Sequence, residues 1–171
     1  MKKFELTSEF VTFLGKKLFR IKALISFGNV KEGELGGFVE KEENLDQSGN
    51  AWVSGDARVS GNARVYGDAR VYGDARVYGD ARVCGDARVS GNAWVSGNAD
   101  YATVHGFGSE YRTTTFFRTK AGDIGVRCGC FYGTLEEFRA KVKETHGETK
   151  TAKEYLMVAD LMEFRFSKEE A

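Results

Sequence analysis

The chain has 171 residues, of which 42% are hydrophobic, and its 25 Lys and Arg are balanced by 25 Asp and Glu. A core can form, and a formal net charge of zero gives no global basic field to hold nucleic acid or an anionic membrane surface. No apolar run approaches the roughly 20 residues of a membrane helix, and no apolar leader follows the opening Met-Lys-Lys-Phe-Glu, so a cytoplasmic location is expected.

Residues 1–34 alternate apolar runs with short turns and carry seven Lys and Arg against four acids. Segments 4–6, 11–14 and 18–24 read as strands, with Gly15-Lys16-Lys17 as a tight connection. An open coil leaves unpaired strand edges, so this β unit is read as an N-terminal cap.

From residue 35 a six-residue frame takes over. The unit V-x-G-[D/N]-A-[R/W] places valine at Val53, Val59, Val65, Val71, Val77, Val83, Val89 and Val95, with Gly two and Ala four positions later. A strict short period is the mark of a solenoid, in which each unit buries its apolar side only by stacking on its neighbours. In the same frame Val39, Leu45 and Ala51 all fall at the alanine position. The stiff valine and the small alanine are expected to point inward. The Gly-Asp and Gly-Asn steps are expected at bends that need left-handed backbone angles. Three such walls make a triangular coil of about eighteen residues, with stacked positions about 4.8 Å apart. The frame slips after Asn98, and Val104-His105-Gly106 returns out of phase, which predicts a coil region of 35–106 with about four turns.

The third region, 111–171, reads as a small α+β domain. Segments 112–119 and 124–131 form a predicted hairpin around Lys120-Ala121-Gly122-Asp123. Thr134-Leu135-Glu136-Glu137 is a capping box opening a helix that runs to about His146 and stops at Gly147. A second helix starts near Thr151 with Tyr155, Val158, Ala159 and Met162 on one side, and Phe164-Arg165-Phe166 reads as a last strand.

The repeated units resemble the hexapeptide repeat of left-handed β-helix proteins, a family that includes acyltransferases and γ-class carbonic anhydrases. The resemblance covers about 35–104 and implies a left-handed parallel β-helix and a homotrimer, with a dimer second. The stretch from Phe19-Arg20-Ile21-Lys22-Ala23-Leu24 through Gly36-Gly37-Phe38-Val39-Glu40 and Glu43-Asn44-Leu45 is similar to uncharacterised proteins of bacteriophages and prophages. So are Thr113-Thr114-Thr115-Phe116-Phe117-Arg118-Thr119, Cys128-Gly129-Cys130 and Lys143-Glu144-Thr145-His146-Gly147. This second resemblance spans nearly the whole chain and implies a phage-encoded protein acting in the host cytoplasm.

Hexapeptide acyltransferases resemble one another in using a histidine within the coils as general base, and a γ-type carbonic anhydrase needs three to hold a metal. Here the two histidines, His105 and His146, both lie outside the regular array. His105 reads either as a rim residue or as a catalytic base in a groove; His146 suits the last turn of a helix, where a cation favours the dipole. Cys128 and Cys130 alternate with Ile124 and Val126 and are expected in a core, where free cysteine behaves as a small apolar residue. Cys84 stands in a slot otherwise held by Tyr or Ser. No cofactor or metal is expected, and no catalytic residue is assigned.

The outward slots hold Arg58, Arg64, Arg70, Arg76, Arg82 and Arg88, with Trp52 and Trp94 at the ends, and Tyr66, Tyr72 and Tyr78 beside them. A period of eighteen stacks Trp52, Arg70 and Arg88 on one wall, Arg58, Arg76 and Trp94 on the next, and Arg64 and Arg82 toward Asp100 on the third. Such Arg and aromatic sets grip nucleotides, nucleic acid or acidic proteins. Residues 45–100 carry seven acids against six arginines, which argues against nucleic acid and fits solvated Arg and Asp ladders or a subunit interface. The candidate binding set is Trp52, Arg64, Tyr66, Arg70, Tyr72, Arg76, Tyr78, Arg82, Trp94 and His105. The expected function is a non-enzymatic, phage-encoded oligomeric binding or scaffold protein, an inhibitor of a host antiviral defence component. The alternatives are a nucleotide-sequestering assembly with sites between subunits, and an acyltransferase using His105.

Overall fold

A computed structural model describes residues 1–167. Its central body is a β-solenoid of about three turns, one fewer than the four expected from the sequence. Two-residue rungs form it: β4 (Trp52–Val53), β5 (Arg58–Val59), β6 (Arg64–Val65), β7 (Arg70–Val71), β8 (Arg76–Val77), β9 (Arg82–Val83), β10 (Arg88–Val89) and β11 (Trp94–Val95). They stack in parallel as three walls, β5-β8-β11, β4-β7-β10 and β6-β9. The repeat valines from Val53 to Val95 and alanines from Ala51 to Ala93 are fully buried. The bends depend on glycine: Gly73 has φ +66°, and a Cβ there would lie 2.9 Å from the Gly91 nitrogen.

Before the regular array the register is wider. β3 (Leu35–Val39) sets Val39 beside Val59, and Leu45 bridges Val65, a spacing of 20 residues instead of 18. Val39 and Leu45 therefore occupy the valine position, not the alanine position that an unbroken frame predicts. Two extra residues lie between Leu45 and the first regular rung. Asn44, fully buried next to Leu45, donates from Nδ2 to the Ala63 carbonyl at 2.9 Å and the Gly61 carbonyl at 3.2 Å, and accepts from the Lys41 nitrogen at 2.9 Å.

The N-terminal cap is one hairpin. β1 (Phe4–Phe13) is a single strand where two were expected, antiparallel to β2 (Lys16–Ala23), and β2 is antiparallel to β3. The hairpin thus extends the first wall into a six-stranded sheet. At the other end, β12 (Tyr101–Phe107), β13 (Arg112–Arg118), β14 (Ile124–Cys128) and β15 (Phe131–Thr134) form an antiparallel sheet in chain order. Tyr101–His105 and Phe107 pair with β13, so this end of the 35–106 region lies in the antiparallel sheet.

α1 (Leu135–His146) and α2 (Lys150–Phe166) cover the outer face of that sheet. Thr134 caps α1 by accepting from the Glu137 nitrogen, and Gly147 ends it with φ +59°. Residues 164–166 continue α2 instead of forming a strand, and Phe166 closes its buried stripe with Tyr155, Val158, Ala159 and Met162. Val126 is buried and Ile124 and Cys128 are partly buried on the helix side, but Cys130 is exposed because β14 ends at Cys128 and the chain turns at Gly129. The opposite face of the sheet closes the solenoid: Phe117 belongs to the solenoid core, and Tyr132 stacks on it at 6.4 Å. No helix among the described residues is long and apolar enough to cross a membrane.

The two ends of the coil are capped by opposite chemistry. Between coils, N–H groups donate to carbonyls about one turn further on, as from Trp52 to Ala69 and from Arg70 to Ala87. The first coil is left with acceptors, and cations fill them: Lys3 Nζ reaches the Ala51 carbonyl at 2.9 Å, and Arg20 Nη1 the Gly36 carbonyl at 2.8 Å. The last coil is left with donors. Arg82, Arg88 and Ser96 give their N–H to Asn98 Oδ1, Thr115 Oγ1 and Asp100 Oδ2 at 2.8–2.9 Å. Satisfying these groups is required wherever water cannot reach them, and two of the cations of residues 1–34, Lys3 and Arg20, do so.

Candidate functional site

The solenoid turns three different surfaces outward, because each wall is treated differently by the capping units. On the β5-β8-β11 wall, Arg58, Arg76 and Trp94 stack in register as the period requires. Phe13 of β1 covers them, with its ring 5.6 Å from the Arg76 guanidinium and 5.9 Å from both Tyr78 and Trp94. Tyr78 and Trp94 also meet edge to face at 5.9 Å. Burial, and then Arg58 beside it, lower the Arg76 pKa. Arg76, Tyr78 and Trp94 are thereby absorbed in seating the N-terminal hairpin.

On the β6-β9 wall Arg64 and Arg82 are in register and exposed. The wall does not lead to Asp100. That carboxylate sits in the connection to β12, accepting from Ser96 and pairing with Arg118 Nε at 3.0 Å. Tyr101 closes this wall instead, donating its hydroxyl to the Arg82 carbonyl. Its phenol is pushed up to about 12, first by burial and then by Cys84, whose Sγ lies 3.9 Å away. Tyr66 is half-buried on the same wall.

The β4-β7-β10 wall carries a groove. Trp52, Arg70 and Arg88 stack in register there, flanked by Asn29, Val30 and Glu34 on one side and by Arg127 of β14 on the other. The groove between them measures about 530 Å³. A second hollow of about 260 Å³ shares Tyr72, Arg88 and Arg127 with it and adds Asp86, Arg112, Thr113 and Gly129. Asn29 Oδ1 accepts from Arg70 Nη2 at 2.8 Å, and the Arg127 guanidinium lies 5.6 Å from the Tyr72 ring. Burial, and then the neighbouring Arg88, lower the Arg70 pKa. Trp52 is 2% exposed, packed edge to face by Phe27 at 5.4 Å, and its Nε1 is buried without a hydrogen-bond partner among the described residues.

The ten sequence-selected residues are therefore divided. Trp52, Arg70 and Tyr72 meet in the open groove, Arg76, Tyr78 and Trp94 are under the hairpin, and Arg64, Tyr66 and Arg82 lie on the third wall. His105 is exposed on β12, with Nδ1 2.8 Å from Oγ1 of Thr113, which lines the second hollow. The expected Arg and Asp ladders do not pair through their carboxylates. Among the described residues the arginine ion pairs are those of Arg20, Arg118 and Arg139, whereas Arg88 Nη1 bonds the Asp68 carbonyl at 3.0 Å and Arg76 Nη1 the Asp56 carbonyl at 3.3 Å. Asparagine relieves the stacked acids: Asn50 donates to Asp68 at 3.0 Å and Asn62 to Asp80 at 3.2 Å.

Reading the repeat alone misses Asn29, Arg112 and Arg127, which complete the groove from outside the coil. Arg127 carries a usable signal, since strand alternation sets it opposite Val126 and Cys128 and so on the solenoid side. His146 lies at the end of α1 as expected, 6.0 Å from the Tyr155 ring.

The repeats match the family described as YdcK Beta solenoid repeat at residues 57–72, 69–85 and 81–97. With the stacked rungs, this makes the chain a repeat β-solenoid protein. Among curated proteins none matches it.

Proposed function

We propose that the protein is a non-enzymatic, oligomeric binding and scaffold protein whose solenoid holds the C-terminal helices in a fixed orientation for a protein partner. The observation that carries this reading is an uncovered apolar stripe on α2. Met157, Leu161 and Phe164 are 70%, 56% and 78% exposed, four and three residues apart, on the side away from buried Tyr155, Val158 and Met162. Apolar residues at that spacing are how an amphipathic helix enters a partner's groove. The stripe has a rigid mount: Arg118 Nε pairs with Asp100 at 3.0 Å while its Nη2 donates to the Phe166 carbonyl at 2.9 Å.

The resemblance of both flanks to phage and prophage proteins supports a bacterial host protein, a component of antiviral defence, as the partner, and phage origin and action in the host cytoplasm go with it. Left-handed winding and a homotrimer are proposed on the resemblance to hexapeptide proteins. The test is affinity capture from infected cells with the wild type and with Met157→Glu, Leu161→Glu and Phe164→Glu combined, alongside light scattering of both. A stoichiometric host protein lost only from the variant supports the reading. Identical captures, or a variant that drops from oligomer to monomer, overturn it.

A further inference from the structure

The parallel register forces a charge problem that the chain does not solve by itself. Arg88 lies directly beside Arg70 on adjacent rungs, and like charges so placed repel. On the first wall the corresponding pair, Arg58 and Arg76, is covered by Phe13. On the third wall Arg64 and Arg82 stand out in solvent. Around Arg70 and Arg88 further cations converge, Arg127 and Arg112 coming from a different sheet to line the adjoining hollows. None of these four guanidinium groups has a carboxylate within ion-pair distance among the described residues, where the arginine pairs are those of Arg20, Arg118 and Arg139. Glu34 lines one hollow and Asp86 the other, so the lining groups are four positive and two negative, with the Asp68 carboxylate also acting on Arg70.

We infer that this groove binds a small diphosphate-bearing ligand, with Arg70 and Arg88 holding one phosphate and Arg127 and Arg112 the other. Guanidinium forks match phosphate oxygens, and charge-assisted bonds of this kind are the strong ones. The site is complete within one chain, unlike a site between subunits. Burial of Arg70, and the Arg88 charge beside it, disfavour its charged state, and a bound anion reverses that. Tyr72, half-buried where it lines both hollows, adds aromatic surface for a flat ring attached to the phosphates. The two carboxylates restrict the positive stretch to a short ligand and oppose a long polyanion.

The site is independent of the α2 stripe, and it is tested separately by calorimetry on the intact protein with inorganic pyrophosphate, ADP, adenosine and a single-stranded 20-mer DNA. Pyrophosphate and ADP are expected to bind with an affinity that falls as salt rises. Arg70→Gln and, from outside the solenoid, Arg127→Gln are each expected to weaken binding at least about tenfold. Arg64→Gln with Arg82→Gln, the same stack on the third wall, is expected to leave it unchanged. Thermal melts of each variant establish that it is folded, and Arg127→Gln carries the test if Arg70→Gln is not. Silence toward both phosphate compounds at millimolar concentration, adenosine binding as well as ADP, equal loss in the third-wall variant, or tighter binding of the DNA than of ADP would each overturn the assignment.

Discussion

Lys3 Nζ donates to the Ala51 carbonyl at 2.9 Å from a residue that is only 2% exposed. The same ammonium lies 3.4 Å from the Ser48 and Gly49 carbonyls and 4.8 Å from the Phe27 ring. It is the keystone of the N-terminal cap, filling acceptors of the first coil that no earlier coil can reach. Burial lowers its pKa to about 8, with Asp46 opposing and Arg70 adding to the effect.

The unfolded chain then holds this proton up to about pH 10.5 while the folded chain releases it near pH 8. Stability attributable to Lys3 therefore rises with pH across that window and is reduced below it. Denaturation midpoints at pH 7 and pH 10 should show the wild type gaining on Lys3→Met at the higher pH. A constant difference would contradict the burial argument.

Asn44→Ala should destabilise the fold by about 1–3 kcal/mol, since it strands the Gly61 and Ala63 carbonyls and the Lys41 nitrogen. Urea unfolding measures it. A loss no larger than that of a surface substitution would mean that water replaces the amide.

Gly73→Ala should cost about 1–3 kcal/mol because of its positive φ and its approach to Gly91. Gly85→Ala has the same φ class with nothing within 4 Å of the added carbon, so it should cost less. Thermal melts of the two variants separate the contribution of stacking from that of backbone angle.

Arg139 bonds Glu136, Asp160 and Glu163, the last two at 2.9 Å and 3.0 Å, and so ties α1 to α2. Burial works against its charge, and the three carboxylates outweigh it, raising its pKa. Because all three acids are exposed, Arg139→Ala should cost only about 1 kcal/mol, less at high salt. Faster amide exchange in α1 and α2, with the solenoid rungs unchanged, is the expected readout.

Periodicity carried the solenoid into view because inward Val and Ala and bending Gly leave one way to bury the chain. The same periodicity was silent on the two-residue insertion after Leu45. A six-residue frame counts positions, and only the pairing of Val39 with Val59 and of Leu45 with Val65 reveals that the register there is twenty residues wide. Strand parity in 124–128 was legible for Val126, whereas Cys130 depended on where the strand stops. Phe164 and Phe166 suit a strand or a helix equally as a short run, and packing on Ala159 and Met162 favoured the helix.

The sequence by itself determined that Trp52, Arg70 and Arg88 share a wall, because a rung spacing of eighteen is a property of the repeat. It also determined the balance of charge and the caps of α1 at Thr134 and Gly147, which are local. Tertiary structure decided which of the three walls becomes a groove. The hairpin of residues 4–23 folds over one, Tyr101 closes the end of another, and Arg112 and Arg127 arrive beside the last. Three walls built on one repeat carry little local signal to tell them apart; contacts between residues tens of positions apart assign them different roles.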